Sequence, residues 1–195
     1  KGAMIDRKEV VIEHFLDYTP EALQEILITR TERTGSNAIV KVLPYNYDIK
    51  AISINLRNML NNGLADVLDK TLLVAMLLPT DSPIVSHWVG LIVKQGARIS
   101  QVIYLDSENQ PIPKYIQQTI MNMLPETSIK VAHLDCQHHN NCGPELVENF
   151  MYAINGHRAL QGNTPYLHSA LMEQKLLVVG SSDYSELEKE IDGLL

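Results

Sequence analysis

The chain has 195 residues, long enough for one domain with a substantial core, and at 45% apolar and 20% charged it has the composition of an ordinary globular protein. Sixteen basic against twenty-three acidic side chains leave a formal charge of −7, which argues against non-specific nucleic-acid binding, because that depends on Lys and Arg neutralising phosphates. No apolar run reaches the roughly 20 residues that span a bilayer, no secretory leader is expected, and two cysteines, Cys136 and Cys142, make no disulfide framework, so a reducing compartment fits best.

Lys1-Gly2-Ala3-Met4 is set aside as a candidate expression remnant. Ile5 to Leu16 reads as a short amphipathic helix. Thr19 caps a second helix with Pro20 at its first position and Leu23, Ile26 and Leu27 on one face. The polar stretch Thr31 to Asn37 breaks that pattern, and Ile39 to Leu43 is a short strand. Asp48 to Asn61 places Ile52, Leu56, Met59 and Leu60 at helical spacing, with Asn62-Gly63 as the expected stop. Leu72 to Leu78 is continuously apolar, as in a strand buried on both faces. Thr80-Asp81-Ser82-Pro83 is a turn. His87 to Val93 and Gln101 to Leu105 form a strand pair, joined as a hairpin through Gly96.

Pro111 to Leu124 is helical, with Ile112, Ile116, Ile120 and Met123 on one side, and Ile129 to Leu134 is a strand. Pro144 to Asn155 is the clearest helix, striped by Leu146, Val147, Phe150, Met151 and Ile154. A helix from Thr164-Pro165, a strand over Leu176 to Val179 and a terminal helix over Ser185 to Leu195 complete the chain. The sum is an α+β fold, a central mixed sheet with helices before, between and after the strands.

Three dispersed residues carry chemistry: His87 before Trp88, Asp106 at the end of an apolar run, and Cys142 before Gly143. A thiol is mostly protonated at neutral pH, so as a nucleophile it needs a base, and the base needs an orienting partner. Cys142, His87 and Asp106 can fill those roles in turn. Two residues before Pro144, Cys142 lies near a helix start, whose backbone N–H groups favour a thiolate. Gly143 removes a side chain beside the sulfur and lets a substrate backbone approach. Each residue alone has a plainer use: a small buried Cys, a strand His, and an Asp capping a turn with Ser107.

Ser86-His87-Trp88-Val89-Gly90, Tyr104-Leu105-Asp106-Ser107 and Gln137-His138-His139-Asn140-Asn141-Cys142-Gly143 together resemble the ubiquitin-like-protease family, clan CE of the cysteine peptidases. That clan includes the SUMO-specific proteases, the adenoviral protease and deubiquitylating effectors of intracellular bacteria. Its pattern is His-Trp on one strand, Asp after the next, and a Gln shortly before Cys-Gly at a helix start. The resemblance runs from about Leu72 to Ile154 and implies a papain-like, adenain-like fold. It also implies hydrolysis of a peptide or isopeptide bond after the diglycine tail of ubiquitin or a related modifier. Gln137 and the Cys142 N–H would hold the oxyanion. Trp88 would roof a tunnel that admits only glycine. Tyr45, in Tyr45-Asn46-Tyr47-Asp48, would stand at the position of a Trp that forms the opposite wall.

The sequence departs from the SUMO proteases in three places. Its Gln-to-Cys gap is one residue shorter, Asn141 replaces a common Asp, and the Asp106–Cys142 stretch is compact, which suits the bacterial members. Ubiquitin is therefore favoured over SUMO or NEDD8 by analogy. No cofactor or metal is expected, the expected partner is ubiquitin or a ubiquitin-like protein and not nucleic acid, and no membrane segment is expected in this chain. The resemblance further implies a domain of a larger effector, working in a reducing cytosol or in that of a host after secretion. One catalytic domain over residues 1–195 is expected, with a substrate-docking extension over 5–37, a core over 38–180 and a terminal helix over 181–195.

Other readings stand beside this one. His133, Cys136, His138, His139 and Cys142 crowd together and suit zinc in ligand type, although His-x2-Cys-x-His-His-x2-Cys is not a common zinc spacing. A non-catalytic ubiquitin-binding module would more readily have lost a triad member. An acetyltransferase on the same scaffold would usually carry Glu at the third position and lack His-Trp.

Overall fold

The computed structural model describes residues 18–33, 35, 37–65, 70–82, 86–95, 100–132 and 142–155. The expected helix at Ile5–Leu16, the Gly96 connection, Gln137 and every element expected after Asn155 lie outside them. The chain divides into two compact units, one made of Lys1–Ser36 with Cys136–Leu195, the other of Asn37–Asp135.

The second unit holds a five-stranded mixed sheet in the order β1-β2-β3-β4-β5: β1 Ala38–Leu43, β2 Thr71–Pro79, β3 Ser86–Gln95, β4 Ser100–Leu105 and β5 Ser128–Val131. The inner pairs β2–β3 and β3–β4 are antiparallel, and the outer pairs β1–β2 and β4–β5 are parallel. Parallel neighbours need a crossover. Helix α2, Ile49–Ala65, makes the first crossover and α3, Lys114–Met123, the second. Both helices pack on one sheet face.

That face is a ladder of apolar cross-strand pairs: Leu72 with Val93, Val74 with Leu91, Met76 with Val89, then Val93 with Val102 and Leu91 with Tyr104. Ile52, Leu56 and Leu60 of α2 and Ile116 and Ile120 of α3 close over it. Each large aliphatic side chain so buried contributes about 1.5–3 kcal/mol. Leu73, Ala75, Trp88 and Ile92 on the opposite face are buried as well. Burial on both faces explains why β2 reads as an unbroken apolar run.

Several helix ends differ from the sequence expectation. Asp48 starts α2 as expected, its carboxylate accepting the Lys50 N–H at 3.0 Å. The helix then continues through Asn62-Gly63 to Ala65. Gly63 is not a stop: a Cβ there would lie 3.2 Å from Leu72, so the missing side chain lets α2 lie close against β2. Helix α3 begins at Lys114 rather than Pro111, because Pro111 and Pro113 hold the residues before them out of the helical region; Pro113 itself is extended at ψ 140°. It ends before Leu124, which precedes Pro125.

In the other unit, α1 is Pro20–Arg33 and α4 is Cys142–Asn155. Thr19 caps α1 as expected, its hydroxyl accepting the Ala22 N–H at 3.1 Å. The helix runs past Thr31, whose buried hydroxyl donates back to the Leu27 and Ile28 carbonyls, each at 2.9 Å, and so does not break the helix. Helix α4 starts at Cys142, not Pro144; Pro144 is tolerated in the first turn because no N–H there has an intrahelical partner. Residues Cys142 to Met151 are all buried, Glu145, Glu148 and Asn149 among them. Glu148 is paired by Arg30 of α1 in a two-pronged bond at 2.6 and 3.2 Å.

Breaking one side of a buried pair strands a charge. Arg30→Met is therefore expected to destabilise the protein by about 3 kcal/mol or more. Arg30→Met with Glu148→Leu should recover most of that loss in urea unfolding.

Candidate functional site

His87 and Asp106 meet because of strand register. The apolar ladder between β2 and β3 ends with His87 opposite Leu78. Between β3 and β4 the last pair is Gly90 with Leu105. Continued by one residue, that register sets Asp106 against Val89, after which the chain turns away over Ser107 and Glu108. His87 and Asp106 are then diagonal neighbours on the face that carries Val89 and Tyr104, a separation that a ring and a short carboxylate can bridge. Their side chains meet with Nε2 to Oδ1 at 2.6 Å.

The carboxylate also organises the turn that follows β4. Asp106 Oδ1 accepts the Glu108 N–H at 2.9 Å and Oδ2 the Gln110 N–H at 3.3 Å. The Asp106 carbonyl accepts the Asn109 N–H at 2.9 Å, and Asn109 takes the left-handed conformation, φ 54°, that Asn tolerates. The turn-capping use of Asp106 and its pairing with His87 are therefore simultaneous, not alternatives.

Asp106 is 4% exposed. Burial alone would push its carboxyl up. The hydrogen bond from His87, the Glu108 N–H, the attraction of the His87 charge and the Gln110 N–H outweigh it and hold the carboxyl below its usual value. An ionised carboxylate can only accept, so Nε2 donates and carries hydrogen. Neighbouring Tyr104 is pushed the other way by burial, then by the Asp106 charge and by Tyr115, and stays a neutral phenol.

Glu108, absent from the sequence reading, has its carboxylate 4.0 Å from His87 Nε2. One ligand atom from each of His87, Asp106 and Glu108 falls within 4.8 Å of the others. The short His87–Asp106 bond and the two backbone donors engage that nitrogen and both Asp106 oxygens. Of the crowded His and Cys residues considered for zinc, Cys142 alone is among the described residues.

Trp88 sits one residue along β3 and so points to the face opposite His87, where it is 1% exposed. Tyr45 lies just before α2, 39% exposed, in a tilted pair with Tyr47 at a ring separation of 6.5 Å.

In its own unit, Cys142 is the first residue of α4 and 4% exposed, with a free thiol. Gly143 beside it is needed for packing: a Cβ there would lie 2.9 Å from Cδ2 of buried Tyr18. Tyr18 was not among the residues singled out from the sequence, and only the glycine beside the cysteine hints at a close neighbour.

No protein-family model matches the sequence, and no curated protein is significantly similar to it. Among solved structures, the SUMO protease Ulp1 with its catalytic cysteine oxidised to a sulfinic acid matches at a TM-score of 0.52 and 16% identity, over 92% of this chain and 83% of its own. The effector protein RickCE of Rickettsia bellii matches at 0.51 and 18%, over 71% of this chain; the alignment spans 58% of RickCE. The fold is that of the Ulp1-type proteases. The α+β class read from the sequence is the class observed, with a mixed sheet and a cysteine at a helix start. No helix among the described residues is long and apolar enough to cross a membrane.

Because its carboxyl is held low, Asp106 stabilises the fold fully above the ordinary carboxylate pKa of about 3.9, and that contribution disappears as pH falls through the lower folded value. Asp106→Asn should lose about 1.5–3 kcal/mol at neutral pH, and its deficit relative to wild type should shrink on acidification, read from urea unfolding across pH. Gly143→Ala should cost about 1–3 kcal/mol through overpacking against Tyr18, read from chemical denaturation.

Proposed function

We propose that the chain is a cysteine protease that hydrolyses peptide or isopeptide bonds after the C-terminal diglycine of ubiquitin or a ubiquitin-like modifier, ubiquitin being favoured. The observation that carries the reading is the 2.6 Å hydrogen bond from His87 to a buried, ionised Asp106. A strand histidine that needs only a partner has no use for a carboxylate held ionised against burial. A general base does, because the carboxylate fixes the ring and stabilises the imidazolium that forms. The Ulp1 fold and a cysteine at the start of α4 support the rest of the assignment.

In the proposed reaction the Cys142 thiol gives its proton to His87. Asp106 engages Nε2, so that proton goes to Nδ1. The thiolate adds to the carbonyl carbon of the terminal glycine, and the oxyanion is held by the Cys142 N–H and Gln137. The amine leaves with the proton from His87, and water, deprotonated by His87, releases the modifier from the thioester. Trp88 is assigned to the roof of the tunnel that receives the diglycine and Tyr45 to its opposite wall, and Gly143, without a side chain, lets the substrate backbone approach the sulfur. No step needs a cofactor or metal. A thiol nucleophile works while reduced, so the proposed site of action is a reducing cytosol, that of a host cell for a secreted effector. The compact Asp106–Cys142 segment is the reason for placing ubiquitin first.

Fluorogenic ubiquitin, SUMO and NEDD8 substrates test this directly. Ubiquitin turnover is expected, abolished by Cys142→Ala and lowered about 100-fold or more by Asp106→Ala. Turnover of SUMO or NEDD8 alone would replace the modifier and keep the chemistry. Hydrolysis that survives Cys142→Ala, or no hydrolysis of any substrate, would overturn the protease reading.

A further inference from the structure

The turn that Asp106 caps brings a second carboxylate to His87. Glu108 stands in that turn, after β4, and its Oε2 lies 4.0 Å from the same Nε2 that Asp106 engages at 2.6 Å. We propose that Glu108 is a positioning residue that holds His87 in its protonated form, so that an imidazolium–thiolate pair persists to higher pH. This rests on the reading of His87 as the base for Cys142.

The two carboxylates are suited to different tasks. Asp106 is buried, and both its oxygens are engaged by His87 and by the Glu108 and Gln110 N–H groups. That set fixes the ring. The Glu108 carboxylate is 49% exposed, is too far for a hydrogen bond to the ring and acts through its charge. An opposite charge within about 4–6 Å favours the charged form of a histidine, and solvent weakens that effect at a half-exposed site. Among the described residues on that face, Leu78 opposes His87 on β2, and Tyr104 on β4 is a neutral phenol.

The substitution isolates the charge. Glu108 uses its backbone N–H to cap Asp106, and Glu108→Gln keeps that N–H, so the turn and the His87–Asp106 bond remain. A purely structural role for the side chain would leave the titration of His87 unchanged.

The test is an NMR pH titration of the imidazole of His87, with labelled histidine, in Cys142→Ala protein so that the thiol does not titrate with it. The signal is assigned by its loss in a His87→Gln sample. Glu108→Gln should lower the midpoint by about 0.2–0.7 in pH, and Glu108→Lys by more. Glu108→Asp should retain part of the effect, and 1 M salt should shrink the difference between Glu and Gln. In the active enzyme, the alkaline limb of kcat/KM should move down in Glu108→Gln. Equal midpoints for Glu and Gln at low salt would overturn the proposal, as would a shift that salt leaves untouched. The NMR result needs no substrate. If nothing is cleaved and the midpoint still moves, the protease reading fails while the electrostatic role stands; if cleavage proceeds and the midpoint does not move, the reverse holds.

Discussion

The hydrogen bond between His87 and Asp106 depends on nearly everything else in its unit. The two residues stand at the open end of an apolar ladder that runs across β2, β3 and β4, and the ladder sets which face each side chain takes. A slip of one residue between β3 and β4 would send Asp106 to the other face and leave His87 without its acceptor. The aliphatic pairs beneath, covered by α2 and α3, are what make such a slip expensive. A buried carboxylate is tolerated there because the turn after β4 turns two backbone donors onto it.

The cysteine depends on a different set of constraints. Helix α4 is buried along most of its length, which is unusual for a segment that carries two glutamates and an asparagine. Arg30 answers Glu148 from α1, and Tyr18, just ahead of α1, closes against Gly143. The first two turns of α4 are thereby each held by a contact within the unit, the first by Tyr18 and the second by Arg30. In a protease, a nucleophile held by packing rather than by a loop loses little entropy on reaching its reactive geometry.

Much of this was legible in the sequence, for identifiable reasons. The continuous run Leu72 to Leu78 is typical of a buried strand and forms one, and Thr19-Pro20 is a local signal that tertiary structure did not override. Helix ends were harder to read. Gly63 looked like a stop because glycine is common after helices, but its real use is a tertiary contact with Leu72 that no local pattern encodes. Pro111 looked like a helix start, yet the second proline at position 113 moved the start on. The candidate residues His87 and Asp106 were found by type and order. Glu108 was missed because its approach to His87 depends on how the turn after β4 folds around Asp106, which no local pattern encodes. The Arg30–Glu148 pair joins positions far apart in sequence, and nothing local marks it.

The central claim is that Cys142 is a nucleophile that His87 and Asp106 activate. It is tested most directly by ubiquitin carrying a C-terminal electrophile that traps a thiolate, with the modified residue located by peptide mass spectrometry. The chain has two cysteines, so the label itself discriminates between them. The adduct should fall on Cys142, form slowly in His87→Ala and Asp106→Asn, and not form in Cys142→Ala. Labelling of Cys136, or labelling of Cys142 at an undiminished rate in His87→Ala, would contradict it.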